Sequence, residues 1–373
     1  MNQRPVLIRS LFVSLALASL PAAEAPSASP YFEQTVADSN SLRIAQAKEL
    51  EAYIQGLKTD DSPLRDLLQP DYSSPKAFDD STAAYRQAFS RSIGYPPLGV
   101  VPKDAPQFSQ MGEDAIGTYY RAEIPVLPGV CAEGIYIVPK HLKGRAPLVI
   151  AMHGGGGSPE VALFHGGANY HDMVRGGVKR GYVVFAPQHL FSSPGLAKDL
   201  RKTIDERMRL VGTSLTAVET AKIIRSLDVL LQRPEVDPAR VGMVGLSYGG
   251  YYTLVAAALD TRIKVAVSSC YYGVQEGRYL RDELTVPGDF RFMGRFNLFR
   301  DSDLVALVCP RPLQIQAGSN DDVDHREPGR ALAPASAGYY KSLGLGSRFQ
   351  YVVFNGRHEF HDDSAWKFLD QHL

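Results

Sequence analysis

Short, nearly continuous apolar runs recur along the second two thirds of the chain, and each ends at a turn. Six of them stand out: residues 148–152 (LVIAM), 182–186 (YVVFA), 241–244 (VGMV), 263–268 (IKVAVS), 313–316 (LQIQ) and 349–354 (FQYVVF). Such runs are typical of strands that are buried on both faces of a parallel sheet. Two earlier segments, residues 118–124 and 134–138, predict an antiparallel lead-in to that sheet.

Helical periodicity separates some of these predicted strands. Residues 216–232 repeat apolar positions every three to four residues, which predicts a crossover helix. Strands that alternate with helices over this length indicate an α/β fold, a mostly parallel doubly wound sheet with helices on both faces. A further helix is predicted over residues 39–55, with its apolar face formed by Leu42, Ile44, Ala45, Ala47, Leu50 and Tyr53.

The first 25 residues have the pattern of an export signal. Arg4 and Arg9 precede an apolar run at residues 11–20, and alanines follow at positions 22, 23 and 25. The run is shorter than a membrane span requires, and no cysteine follows it, so no stable membrane anchor is expected. We predict a signal peptide over residues 1–25, a helical extension over 26–110, a catalytic domain over 111–373, and a secreted or periplasmic protein.

Composition excludes several classes of protein. The chain of 373 residues is 45% hydrophobic and 21% charged, and it carries 40 basic and 40 acidic side chains. This balance argues against a nucleic-acid-binding protein, which needs a basic face. Three cysteines form no disulfide framework, and Cys270 and Cys309 each lie beside a predicted buried strand. We expect at least one free, buried thiol and no catalytic cysteine.

The strongest chemical signal is the motif GLSYG at residues 245–249, followed by a further glycine. It lies between the predicted strand at 241–244 and a helix-compatible run at 251–259, which is the context of a nucleophile elbow. Glycines around the serine let strand and helix approach closely. We therefore predict that Ser247 is a catalytic nucleophile rather than part of a plain glycine-rich turn.

A second glycine-rich motif, HGGGG at residues 153–157, follows the predicted strand at 148–152. Backbone N–H groups without a neighbouring Cβ suit an oxyanion hole. We expect the donors to be Tyr248 and one of Gly155 or Gly156. A phosphate cradle is disfavoured, because no Lys-Ser/Thr pair follows and Pro159 breaks the dinucleotide spacing. His153 is predicted to be a structural residue of the loop.

An acid and a histidine are expected after the serine, each at a strand end. Asp321 follows the strand at 313–316 and His358 follows the strand at 349–354, so we predict that these two complete a catalytic triad. The acid has three neighbouring rivals, Asp322, Asp324 and Glu327, and His361 is the rival base. The spacing His358-Glu359-Phe360-His361 lacks the zinc-protease pattern, so no metal is expected. No cofactor is expected either. The remaining histidines, including His165, His171 and His189, are expected to be ordinary loop or core residues.

Several ordered motifs together resemble the α/β-hydrolase superfamily, specifically its dienelactone-hydrolase-like and acetylxylan-esterase-like members. They are HGGGG, VDPARVGMVGLSYGGYYT at 236–253, RIKVAVSSCYY at 262–272, CPRPLQIQAGSND at 309–321 and NGRHEFH at 355–361. The resemblance covers roughly residues 134–373. It implies Ser247 as nucleophile, Asp321 as acid, His358 as base and Tyr248 as an oxyanion donor. Dienelactone hydrolases proper use a cysteine nucleophile, so the serine here favours an ordinary esterase.

The function predicted from the sequence is that of a secreted serine carboxylic-ester hydrolase that acts through an acyl-enzyme. Its substrate is expected to be a small-molecule or carbohydrate ester, and small acyl esters of carbohydrate are favoured. One alternative is a serine peptidase, because GLSYGGYYT also resembles the prolyl-oligopeptidase elbow. Those enzymes usually carry a β-propeller, whereas the roughly 100 residues before this core have a helical pattern. A second alternative is a non-catalytic binding protein on a hydrolase fold. The acyl group, the alcohol and the oligomeric state stay open at this point.

Overall fold

The computed structural model describes residues 31–32, 35–57, 66–164, 169–191, 195–197, 199–280 and 288–373. The predicted signal peptide and His165 lie outside these residues. The chain divides into two compact units, Met1–Gln55 and Gly56–Leu373. In the described residues, no helix is long and apolar enough to cross a membrane.

The first unit contains a 3₁₀ turn at Val36–Ser39 and most of helix α1 (Asn40–Leu57). The predicted helix is confirmed to within two residues at its C-terminal end. Its expected apolar face is not buried, because every side chain of the helix is exposed. Leu42, Leu50 and Tyr53 are each more than half exposed.

One sheet runs through the second unit, and nine strands belong to it in the described part of the chain. These are β1 (Gln107–Glu113), β2 (Gly117–Leu127), β3 (Val130–Pro139), β4 (Ala146–Met152), β5 (Val183–Pro187), β6 (Val236–Leu246), β7 (Val265–Ser269), β8 (Leu313–Gly318) and β9 (Phe349–Phe354). Their order is β1-β2-β3-β5-β4-β6-β7-β8-β9. The pairs from β1 to β5 are antiparallel, and those from β5 through β9 are parallel. The predicted antiparallel lead-in and parallel sheet are confirmed. Strand β1 is a further strand that the sequence did not predict.

Helices cover both faces of this sheet. They are α2 (Pro75–Ser92), α3 (Pro159–Leu163), α4 (Arg175–Lys179), α5 (Leu200–Leu210), α6 (Leu215–Leu230), α7 (Tyr248–Leu259), α8 (Val274–Leu280), α9 (Asp301–Val308), α10 (Val323–Ser342) and α11 (Asp362–His372). Strand β4 is buried throughout, and its alternate side chains enter two separate cores. One core is shared with α6 and α7, and the other with α4 and α11. The predicted doubly wound α/β fold is therefore confirmed.

Helix α2 lies in the segment for which the sequence suggested no chemistry, and it packs on the main core. Ser74 caps its first turn by accepting a hydrogen bond from the Ala77 N–H, and a proline follows the cap. The side chains of Phe78, Tyr85 and Phe89 are fully buried in the core that α7 also enters. This burial makes the helix an integral part of the second unit.

The parallel strands bring their C-terminal ends to one edge of the sheet. Met152 pairs with Gly245, and Leu246 pairs with Ser269. Further along the same edge, Gly318 pairs with Phe354. Loops that leave the sheet at this edge therefore lie side by side, which is where α/β proteins place their binding sites.

Candidate active site

Ser247 sits at the sharp turn between β6 and α7, half-buried and with a backbone conformation of φ 58° and ψ −117°. A positive φ is strained for any residue other than glycine. The flanking glycines make the turn possible. A Cβ on Gly245 would lie 2.2 Å from the Gly249 carbonyl oxygen, and one on Gly249 would lie 2.2 Å from the Met152 carbonyl oxygen. The motif G-x-S-x-G is thus a packing requirement of this turn.

Asp321 and His358 are in direct contact. The His358 Nδ1 lies 2.9 Å from the Asp321 Oδ2, and the Asp321 side chain is only 4% exposed. Burial alone would raise the pKa of Asp321, but hydrogen bonds from His325 and His358 outweigh it and hold that pKa below its usual range. The carboxylate is therefore ionised, and it orients the imidazole of His358.

Ser269, at the end of β7, connects the serine turn to the loop of His358. Its carbonyl oxygen accepts a hydrogen bond from the Ser247 N–H at 2.8 Å. Its hydroxyl donates to the Glu359 carbonyl oxygen at 3.1 Å. The loop that carries His358 is therefore packed beside the turn that carries Ser247. In the described residues the Ser247 Oγ makes no hydrogen bond, so the structure joins Asp321 to His358 and shows no bond from His358 to Ser247.

The rival residues make other contacts. The His361 Nδ1 lies 2.7 Å from the Ser364 Oγ, and its ring stacks on Phe354 at 4.8 Å between centroids. Glu327 lies near two arginines, and Asp322 contributes its backbone N–H to the Asp321 Oδ1 at 2.8 Å. The structure thus places Asp321 beside His358, while the rival base is turned toward α11.

The HGGGG loop lies against the serine turn, since a Cβ on Gly154 would be 3.2 Å from the Ser247 Cβ. The Gly157 N–H donates to the Gly154 carbonyl oxygen at 3.2 Å, and Gly156 has a φ of 71°. The Gly154 N–H is occupied by the Tyr170 hydroxyl at 2.9 Å. In the described part of the chain, the N–H groups of Gly155 and Gly156 make no hydrogen bond. They are free to bind an oxyanion.

A third free donor is supplied by the start of α7. The Tyr248 N–H belongs to the first turn of that helix, which has no intrahelical acceptor for it. The helix N-terminus also favours negative charge beside it. The Tyr248 N–H is therefore available as an oxyanion donor, and the role of the three expected donors stays a prediction.

Two buried histidines lie beneath the glycine loop. The His153 Nδ1 donates to the Gly154 carbonyl oxygen at 2.8 Å, and its Nε2 lies 3.4 Å from the His189 backbone N–H. The His189 Nε2 donates to the His153 carbonyl oxygen at 2.8 Å, and the rings stack at 4.1 Å. Burial, reinforced at His153 by its neighbour, lowers the pKa of each to about 3. Both imidazoles are neutral supports of the loop.

An aromatic wall with one arginine borders the site, and it was not found from the sequence. The guanidinium of Arg201 lies 5.1 Å from the ring centroids of both Phe191 and Tyr248, and it forms an ion pair with Asp289. The Phe191 ring lies directly over the glycine loop, where a Cβ on Gly155 would be 2.6 Å from it. The residues that follow β5, QHLFSSPGLAKDLR at 188–201, form no motif that marks these positions.

A cavity of about 470 Å³ opens beside this wall, lined by Gly156, Gly157, Ser158, His189, Phe191 and Leu196 among others. A larger cavity of about 870 Å³ lies between the end of α2 and residues 291–297, and none of the predicted site residues lines it. The smaller cavity adjoins the oxyanion loop, so it is the better candidate for substrate binding.

The thiol of Cys270 lies near the Asp321–His358 pair, and ligand atoms of the three residues lie within 4.8 Å of one another. Burial raises the pKa of this thiol to about 11, so the neutral thiol is a poor metal ligand. Cys270 and Cys309 are buried, Cys131 is exposed, and all three are free cysteines. The expected free, buried thiol is therefore present.

The site and the sheet define an α/β-hydrolase-fold protein, and comparisons with known proteins agree. Residues 134–288 match the model of the dienelactone hydrolase family, so this part of the chain is similar to that family. A provisionally named hydrolase of Bacillus subtilis (strain 168), YtaP, is 25% identical over 230 residues, which span 59% of this chain and 76% of that protein.

Solved structures show the same fold. A provisionally named acetyl xylan esterase from Bacteroides fragilis NCTC 9343 superposes with a TM-score of 0.61 at 18% identity, covering 78% of this chain and 80% of that one. A glucuronoyl esterase from Solibacter usitatus superposes with a TM-score of 0.57 at 15% identity, covering 82% of this chain and 96% of that one. These likenesses show that the chain has the fold of those structures.

Proposed function

We propose that the protein is a serine carboxylic-ester hydrolase that acts through an acyl-enzyme. The observation that carries the proposal is the placement of Ser247 between two groups of residues. The glycine loop, with the unpaired N–H groups of Gly155 and Gly156, packs against the serine turn, and Ser269 links that turn to the loop of His358 with its bound Asp321. Nucleophile, base and anion stabiliser are the parts that acyl transfer needs.

The chemistry proceeds in two halves. The Ser247 Oγ attacks the ester carbonyl carbon while the His358 Nε2 takes its proton, and the free N–H groups stabilise the resulting oxyanion. The imidazolium then protonates the leaving alkoxide, which departs as the alcohol and leaves an acyl-serine. Water repeats the sequence on the acyl-serine with His358 as base, releasing the carboxylic acid and the free serine. Asp321 holds the Nδ1–H tautomer throughout.

Carbohydrate esters with a small acyl group are the proposed substrates. The names of the superposed structures, acetyl xylan esterase and glucuronoyl esterase, support this class. The half-buried aromatic wall beside a cavity of about 470 Å³ suits a sugar ring better than a long acyl chain. The signal-like residues 1–25 support action outside the cytoplasm, and N-terminal sequencing of exported protein tests that part.

The test is a substrate panel on the purified protein, with Ser247→Ala as the matched control. We expect hydrolysis of p-nitrophenyl acetate and of acetylated sugars, and no cleavage of aminoacyl-p-nitroanilides. Feruloyl and longer-chain esters extend the panel and measure the size of the acyl pocket. Cleavage of amides alone would identify a peptidase instead. A folded protein that hydrolyses none of these and reacts with no fluorophosphonate would favour a binding protein.

A further inference from the structure

A second imidazole contacts the proposed catalytic acid. His325 lies in the first turn of α10, four residues after Asp321, and its Nδ1 lies 3.1 Å from the Asp321 Oδ1. His358 occupies the other oxygen, Oδ2, at 2.9 Å. The two imidazole rings are 4.6 Å apart between centroids. Each oxygen of the carboxylate thus contacts a histidine, one from helix α10 and one from the loop after β9.

These contacts fix the orientation of a side chain that would otherwise rotate. The terminal torsion of an aspartate is broad, so one hydrogen bond leaves the carboxylate plane poorly defined. Here the Oδ1 accepts from both the Asp322 N–H, at 2.8 Å, and His325. Removing His325 leaves one backbone donor on that oxygen. The Oδ2 would then be aimed less narrowly at the His358 Nδ1.

His325 is not placed to act as the base itself. It is carried by α10, which follows β8, whereas the loop of His358 is bonded to Ser269 next to Ser247. The His325 side chain is 22% exposed and that of Asp321 is 4% exposed, so their hydrogen bond is shielded from water. A shielded hydrogen bond to a charged group is stronger than an exposed one.

We propose that His325 is a positioning residue for the hydrolysis, acting through Asp321 to align His358. The inference rests on the proposed serine-hydrolase function. It predicts an effect on turnover and not on substrate binding. It also predicts that a side chain with an amide in place of the ring nitrogen can substitute, because the Asn Nδ2 branches from the same carbon as the His Nδ1.

The experiment compares His325→Ala with His325→Asn in two backgrounds, wild type and Asp321→Asn, using p-nitrophenyl acetate. In the wild-type background His325→Ala should lower kcat by about 10- to 100-fold, the effect of one hydrogen bond to a charged group. KM should stay within about twofold, and His325→Asn should recover kcat to within about threefold. In the Asp321→Asn background, His325→Ala should change kcat by less than about twofold, because the carboxylate through which His325 acts is already absent.

Thermal unfolding of each variant separates alignment from misfolding. If His325→Ala does not fold, His325→Gln replaces it, since its amide lies one bond too far out and should lower kcat at least about fivefold. The inference is overturned if the alanine variant keeps kcat within twofold. It is also overturned if the loss persists in the Asp321→Asn background, or if a folded His325→Asn shows no recovery. Failure of the proposed hydrolase function can be told apart from failure of this inference, because the wild-type protein would then neither hydrolyse ester nor react with fluorophosphonate.

Discussion

Acidification from pH 7 to pH 5 should destabilise the protein through His153 and His189, the stacked pair beneath the glycine loop. His153 donates through Nδ1 and is faced by the His189 backbone N–H at Nε2, so a proton at that nitrogen would oppose a donor. His189 donates through Nε2, and its buried Nδ1 has no partner in the described residues. The folded protein therefore excludes the charged form of both rings.

The direction and size of this loss of stability follow from the difference between the pKa of each ring in the folded and in the unfolded protein. The pKa of each ring is about 3 in the folded protein, against about 6.5 when unfolded. Between these values the unfolded chain binds more protons, so the stability is fully present above pH 6.5 and is lost as the pH falls toward 3. At pH 5, which is about 1.5 units below the unfolded pKa, each ring lowers the free energy of unfolding by about 2 kcal/mol.

The assay is urea unfolding at pH 7 and pH 5, with His189→Gln compared with wild type. The glutamine amide can still donate to the His153 carbonyl oxygen, and it does not titrate. Its loss of unfolding free energy over this pH range should be smaller than that of wild type by about 2 kcal/mol. His141→Gln, at an exposed position, is the control and should track wild type. If wild type and His189→Gln lose the same unfolding free energy between pH 7 and pH 5, protonation of His189 is not a cause of the loss.

Three further predictions concern the acid, the elbow and the thiols. Asp321→Asn should lower kcat by about 10⁴ through the wrong histidine tautomer, while Asp322→Asn stays within about tenfold; steady-state kinetics decide, and the reverse order would show that the acid is misassigned. Gly249→Ala should destabilise by about 3 kcal/mol or more, because its Cβ would meet the Met152 backbone. Gly338→Ala, in an open helical position, should stabilise by about 0.5–1 kcal/mol; equal unfolding midpoints in urea would refute the packing argument. Iodoacetamide should modify one thiol in the native protein, on the exposed Cys131, and three in urea; fast modification of a second thiol in native protein, seen by mass spectrometry, would contradict the burial.

The parallel strands and the serine turn could be predicted because their requirements are local. A strand buried on both faces must be apolar throughout, as in β4, where all seven residues are buried. The serine turn demands glycine at Gly245 and Gly249, and that demand is visible in five letters. The position of each loop then follows from the common direction of the strands.

Other features could not be predicted, because they depend on contacts distant in sequence or on exposure. Strand β1 reads QFSQMGE and has almost no buried residue, so it lacks the alternation that marks a half-buried strand. Arg201 and Phe191 reach the site only through the folded path of the chain after β5. Helix α1 shows the opposite failure, since its periodic apolar residues predicted burial that its side chains do not have.

His325 illustrates the same limit within the site. It stands in the run Asp321-Asp322-Val323-Asp324-His325, which in sequence resembles a solvated acidic turn. The i, i+4 spacing brings its ring to Asp321 only because α10 begins at Val323 and turns back over the strand end. A helix boundary is among the features that sequence patterns define least well.

Ser247 should form a covalent intermediate, and labelling with a fluorophosphonate followed by peptide mass spectrometry detects it. We expect one adduct on Ser247 in wild type, none in folded Ser247→Ala, and much slower labelling in His358→Ala. Ser247→Ala should also lower ester turnover by about 10⁴ or more. An adduct on another residue, or ester turnover by Ser247→Ala within tenfold of wild type, would contradict it.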